Sequence, residues 1–251
     1  MDPLTILGLG LAGFAAGFID AIAGGGGLIS LPALLWAGLP AHLALGTNKL
    51  QSAVGTAMAV GKYHGAGLVE WRDVRPAVIV TAVMAAVGTV TVLTVRNDLL
   101  ARIVPWLLLG VAAWIFVRPG LAATAGPPRL GPWPFALLAG SALGFYDGFF
   151  GPGTGAFWTA AWVEGRALPL TRATAATKVV NLTSNLAALA VFAGGRSVDP
   201  LAAAAMIVGQ IVGGRLGATL AIRHGARFIR VVFIAVVLAL VVRLLWAPPT
   251  R

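Results

Sequence analysis

The sequence predicts an all-α, polytopic transmembrane protein built of two inverted-topology repeats, each a glycine-broken helical hairpin with one short arm plus three transmembrane helices. Three observations carry that prediction. Of the 251 residues, 59% are hydrophobic and only 10% charged, against roughly 25% charged in an ordinary soluble domain, too few to cover a water-facing surface. The apolar residues fall in long runs separated by short basic gaps. The series of runs occurs twice.

A spanning helix needs about 20 mostly apolar residues. Residues 4–23 form the first such run, ended by Gly24, Gly25, Gly26 and Gly27. A short piece, 28–38, follows, with Pro32 inside it. Runs at 41–61, 74–95 and 99–117 complete the first series. Residues 118–134, with Pro119, Pro127, Pro128 and Pro132, read as the mid-chain connection. The second series then takes 135–150, a break at Gly151-Pro152-Gly153-Thr154-Gly155, a short piece at 156–163, and runs at 170–193, 201–222 and 228–245. No basic residue precedes the first run, so no cleaved signal peptide is expected.

The two series match residue by residue. Gly17-Phe18-Ile19-Asp20 returns as Gly144-Phe145-Tyr146-Asp147, 127 positions later. Lys49 returns as Lys178 at an offset of 129, which also carries Gly65 onto Gly194, Glu70 onto Asp199 and Gly88 onto Gly217. Such ordered self-similarity points to an internal duplication, with residues 1–126 as one repeat and 127–251 as the other.

Charge chooses the orientation. If each broken pair is a hairpin returning to its starting side, Lys62, Arg72, Arg75, Arg118, Arg129, Arg166, Arg172, Arg223, Arg227 and Arg230 fall on one side of the membrane. Only Arg96, Arg102, Arg196 and Arg251 fall on the other. If each broken pair crosses once, the same residues divide evenly. The excess of Lys and Arg in cytoplasmic loops favours the first arrangement, hence inverted repeats with both termini on the non-cytoplasmic side. The short arm reaches about half the bilayer at 1.5 Å per residue, so the next helix must begin at depth.

Glycine-interrupted segments at matching places in two halves are the sequence mark of a transport site, because an unpaired amide is tolerated at membrane depth only where it lines a cavity or meets a ligand. Gly24 to Gly27 would end one helix and open the next, exposing N–H groups and a positive helix end suited to an anion. Gly151, Gly153, Thr154 and Gly155 would do the same from the second half, Thr154 adding a hydroxyl. The plainer alternative is close helix packing, the reading preferred for Gly209, Gly213 and Gly217. Lys49 and Lys178 lie about eight residues into their runs, where a charge costs at least ~2.5 kcal/mol; they either line a cavity or snorkel to the interface. Asn48, Gln51, Ser52, Thr177, Asn181 and Ser184 share their helices at helical spacing. Asp20 and Asp147 would neutralise the lysines, hold the glycine loops or carry a proton. Arg215, whose counterpart is Ala86, breaks the symmetry as a second anion contact or an aspartate's partner.

Other chemistries lack residues. There is no Cys, and three His with eight acidic residues make no metal cluster or nucleophile set, so no enzyme, metal or cofactor is expected. A formal charge of +10 spread between apolar runs fits a lipid bilayer, not nucleic acid.

The segments Gly17-Phe-Ile-Asp-Ala-Ile-Ala-Gly-Gly-Gly-Gly, Gly46-Thr-Asn-Lys, Gly65-Ala-Gly, Gly144-Phe-Tyr-Asp-Gly-Phe-Phe-Gly-Pro-Gly-Thr-Gly and Thr177-Lys resemble the TauE/SafE family of sulfite exporters over essentially the whole chain. The resemblance implies a bacterial inner-membrane secondary transporter for small anions such as sulfite, sulfoacetate or thiosulfate. It places Gly24, Gly25, Gly26, Gly27, Asn48 and Lys49 at the substrate, with Gly151, Gly153, Thr154, Gly155, Thr177 and Lys178 from the second half. Pro152, Thr154 and Thr177 depart from the first half, so an asymmetric site is expected. Export by alternating access is the leading expectation, helped by an inside-negative potential. A passive anion channel and a carrier for a non-sulfur organic anion are the alternatives, and a homodimer is left open.

Overall fold

A computed structural model describes residues 1–117 and 127–246, and among these every regular element is helical. The first half contains α1 (Pro3–Ala23), α2 (Gly27–Trp36), α3 (Ala41–Gly65), α4 (Trp71–Thr94) and α5 (Asn97–Val117). The second begins with α6 (Pro132–Phe135), which runs through a π-helical segment (Ala136–Gly140) into α7 (Ser141–Phe149). It continues with α8 (Thr154–Arg166), α9 (Leu170–Gly194) and α10 (Pro200–Trp246). Helices α1, α4, α9 and the Pro200–Gly225 part of α10 are long and apolar enough to cross a membrane.

Local chemistry sets the boundaries. Asp2 caps α1 by accepting the Thr5 amide at 3.0 Å, and the Thr5 hydroxyl donates to the same carboxylate; these bonds hold the Asp2 carboxyl below its usual range. The first glycine break stops α1 because Gly24 takes the left-handed conformation, φ 76°, which closes a helix end at little cost only for glycine. At the second break Gly151 and Gly153 take φ of 98° and 83°.

One boundary differs from the sequence expectation. The mid-chain connection stops short of Pro134, because Pro132 and Pro134 occupy the first turn of α6, where a missing amide is no loss. The runs at 201–222 and 228–245 are separate, as expected: two helices within α10 meet at Gly225, whose φ 65° and ψ −155° are non-helical. The N-terminal part of the connection, residues 118–126, lies outside the described residues.

Helix bounds recur at the sequence offset: α3 and α9 each have 25 residues, and Ala41 and Leu170, their first residues, stand 129 apart. Small residues let the helices meet backbone to backbone. On α10, a Cβ at Gly209, Gly213 or Gly217 would fall 2.2–2.4 Å from carbonyl oxygens of α1. On α4 and α7, Gly88 and Gly148 make the same kind of approach, at 2.2 Å and 2.0 Å. The bland reading of the α10 glycines as a packing face therefore holds. Large apolar side chains such as Leu4, Leu11, Val83, Val87, Leu137, Val208 and Val212 point outward, as a lipid-facing surface requires.

The two ends of the bundle differ. At one end, Arg166 of α8 pairs with Asp73 of α4 at 2.8 Å, Arg172 of α9 pairs with Glu70, and the Arg129 amide donates to the Gly165 carbonyl. At the other end, Arg96 pairs with Asp98, the His42 amide donates to Asn97, and the Asp199 amide donates to Thr47. Helix α1 starts at this second end, beside the start of α10; α6 starts at the first, close to Arg166, which donates to the Leu130 carbonyl.

Candidate functional site

The two glycine breaks meet. A Cβ on Gly24 would lie 2.4 Å from the Gly155 carbonyl carbon, and one on Gly27 2.9 Å from the Pro152 Cα. Only backbone fits between them. Around this contact lies a cavity of about 30 Å³, far below the ~300–1,000 Å³ of pockets for drug-sized ligands. Asp20, Gly24, Gly27, Asn48, Lys49, Gly151, Gly153, Thr154 and Gly155 line it, with Ser52, Asp147, Asn181 and Asn185. Gly25, Gly26, Thr177 and Lys178 stand behind that lining.

Lysine and aspartate pair across the halves. Lys49 donates to the Asp147 carboxylate at 2.6 Å and to the Asp147 backbone carbonyl. Lys178 donates to the Asp20 carboxylate at 3.2 Å and to the Asp20 carbonyl. Each aspartate occupies the last turn before a glycine break, where the helix dipole disfavours an anion; the lysine of the opposite half supplies the cation that the helix end favours. Neither lysine snorkels: Lys49 is 1% exposed and Lys178 is fully buried. The centre is formally neutral, two ammonium groups against two carboxylates.

Positive potential at the centre therefore comes mainly from the backbone. The amides of Gly25, Gly26 and Gly27 find no acceptor among the described residues, nor do those of Gly153 and Gly155. They stand at the starts of α2 and α8, where aligned peptide dipoles place partial positive charge. The Thr154 hydroxyl is turned inward to the Gly151 carbonyl at 2.6 Å, closing its own loop. The Tyr146 hydroxyl secures the same loop by donating to the Pro152 carbonyl at 2.8 Å.

A second tier fixes the lining. Asn48 accepts from Ser30 at 2.5 Å and Gln51 at 2.8 Å, Thr177 and Thr159 share a hydrogen bond at 3.1 Å, and Ser184 donates to Asp147. Ser30 and Thr159 went unnoticed in the sequence, although they are separated by the same 129 positions as Asn48 and Thr177. In the Gly46-Thr47-Asn48-Lys49 motif, Gly46 admits the Ser197 carbonyl, which would lie 1.9 Å from a Cβ, and Thr47 holds the Asp199 amide. Arg215 is left out: it sits on the exposed face of α10, and the carboxylates it could have served are already taken by Lys49 and Lys178.

Outward-facing apolar helices around an inner neutral charge cluster and two broken helices define a polytopic helical membrane protein with a polar centre. Comparisons with known proteins agree. The chain is 38% identical over 241 residues to the probable membrane transporter protein ORF9 of Sinorhizobium sp, covering 96% of this chain and 92% of that one. It is 37% identical over 246 residues to the probable membrane transporter protein YfcA of Escherichia coli K12 (98% and 91% covered). With a probable membrane transporter protein of Haemophilus influenzae it shares 40% identity over 230 residues (92% and 89% covered). No solved structure matches it significantly. The model of the sulfite exporter TauE/SafE family matches residues 9–244, and the chain belongs to that family. It is a membrane transporter, not an enzyme.

Proposed function

We propose that this transporter carries a small sulfur-containing anion, sulfite or an organosulfonate such as sulfoacetate, outward across the cytoplasmic membrane by alternating access. The observation that carries the reading is the meeting of two broken-helix starts, with unpaired glycine amides, around one ion-sized cavity. An oxyanion would give the amides of Gly27, Gly153 and Gly155, which line the cavity, the acceptors they lack, and a buried donor left without one costs about 1–3 kcal/mol. The cavity's size favours a compact oxyanion such as sulfite over an anion with an organic tail. Lys49 supplies a nearby ammonium, already balanced by Asp147, so that binding need not desolvate a bare charge.

The two halves act as inverted repeats, residues 1–126 and 127–251, that rock about this centre. Support comes from α1 and α6 starting at opposite ends, and from the crossed lysine–aspartate pairs. The end that gathers Arg129, Arg166 and Arg172 is assigned to the cytoplasm by the positive-inside rule, which puts the N-terminus outside. An inside-negative potential then drives the anion outward by about 2.3 kcal/mol per charge per 100 mV. The test is flux into proteoliposomes of sulfite, thiosulfate, sulfoacetate and a simple carboxylate. Saturable sulfite flux with counterflow is expected; flux of none of the sulfur anions would overturn the reading.

A further inference from the structure

The face of α8 that leads away from the cavity carries a line of hydrogen-bond donors that the central site does not use. Thr154 lines the cavity, and Trp158, Trp162 and Arg166 follow it at intervals of four residues, so all four share one stripe of the helix. Trp158 and Trp162 are fully buried and Arg166 is 8% exposed. Yet the indole N–H of both tryptophans and the Nε–H of Arg166 have no acceptor among the described residues. Three unpaired buried donors on one stripe are poor packing chemistry, because each costs about 1–3 kcal/mol and an apolar side chain of the same bulk would cost nothing comparable.

The first half shows that the fold does not demand them. At the offset of 129 that relates Ser30 to Thr159, the positions of Trp158, Trp162 and Arg166 correspond to Ile29, Ala33 and Ala37. Phe135, which packs over Trp158 and Trp162 with ring centroids 6.1 Å and 4.4 Å away, corresponds to Gly8 at the offset of 127. Gly8, Ile29, Ala33 and Ala37 line an open groove of about 490 Å³. Matching places are thus vacant in one half and closed by three rings in the other. Phe135 immediately precedes the π-helical segment Ala136–Gly140, a local geometry that concentrates at functional sites.

We infer that the Trp158–Trp162–Arg166 stripe is the anion's route between the central cavity and the basic end of the bundle, closed here by Phe135. This rests on the anion-transport reading above. Successive donors lie about 6 Å apart along the helix, close enough for an oxyanion to reach the next before leaving the last. The unpaired groups of the stripe are all N–H donors, which suit an acceptor-bearing anion. Arg166 stands at the outer end with its guanidinium held by Asp73 and the Leu130 carbonyl, leaving Nε–H as the last unpaired donor.

The test uses purified full-length protein with radiolabelled sulfite, measured both for equilibrium binding in detergent and for flux in proteoliposomes. Trp158→Phe/Trp162→Phe keeps an aromatic ring at each position and removes both N–H groups. Flux is expected to fall at least tenfold while sulfite affinity stays within about twofold of wild type. In protein with ¹⁵N-indole tryptophan, the Trp158 and Trp162 N–H resonances are expected to move downfield on adding sulfite. Wild-type flux in the double variant, with both resonances unmoved, would overturn the route and leave the anion-transport reading standing. Absence of both binding and flux in wild-type protein would overturn the two together.

Discussion

The two lysine–aspartate pairs look equivalent in the sequence and differ in the fold. Lys49 and Asp147 are both nearly sealed, with side chains 2% and 5% exposed, and Ser184 takes the second carboxylate oxygen. Lys178 is sealed as completely, but Asp20 is 22% exposed and 3.2 Å away. The cavity touches Lys49 and both aspartates, and leaves Lys178 behind its partner. Duplication supplied two copies of one pair; their surroundings have given one the cavity wall and the other a supporting position.

The largest effect should come from opening the tighter pair. Asp147→Ala strands a buried ammonium, which costs about 3–5 kcal/mol, and also takes the acceptor from Ser184, so it should lower the Tm in detergent more than Asp20→Ala, which strands the equally buried Lys178 alone. Equal losses would erase the distinction. In a double-mutant cycle, Lys49→Ala with Asp147→Ala should show coupling of about 0.5–3 kcal/mol, larger than the coupling of Lys178 with Asp20.

The glycine contacts sharpen the comparison next. Gly24→Ala must accommodate both the left-handed φ and the Gly155 backbone 2.4 Å from the new carbon; about 1–3 kcal/mol of overpacking should appear in thermal unfolding. Gly151→Ala carries a comparable strain, at φ 98°, and its new carbon meets the paired Lys49 ammonium at 2.9 Å, so it should lower transport as well as Tm. A greater Tm loss for Gly151→Ala would mean the second loop is the stiffer one.

Affinity separates the lysines themselves. Lys49→Gln is expected to raise the sulfite KM more than Lys178→Gln, because only Lys49 lines the cavity; equal KM shifts would place both ammonium groups at the anion. The smallest change is Ser30→Ala, which removes one donor to Asn48. It should cost about 0.5–1.5 kcal/mol in Tm measurements, with little change in maximal flux.

Much of this was legible in the residue order. Run lengths and glycine breaks marked the helices because lipid demands continuous hydrogen-bonded apolar segments. Lys49, Lys178, Asp20 and Asp147 stood out because charge at membrane depth is costly. Their crossing was not legible: nothing in the spacing of Asp20 and Lys49 reveals that each finds its partner in the other half. Arg215 misled because a charged residue within an apolar run can sit on an outward face, and helical position alone did not orient it. Pro132 and Pro134 read as a connection because proline composition marks loops and helix first turns alike. The π-helical segment has no composition of its own, and nothing in the sequence marks Trp158 and Trp162 as holding unpaired N–H groups.

The crossed pairing also bears on biosynthesis. While the ribosome is still translating the second half, Lys49 and Asp20 lack their native partners, which arrive only with Asp147 and Lys178. The first half made alone is therefore expected to be recognised by quality-control proteases. Expressed as separate polypeptides, the halves should be degraded singly and protected when made together, a difference that immunoblotting of membrane fractions would register.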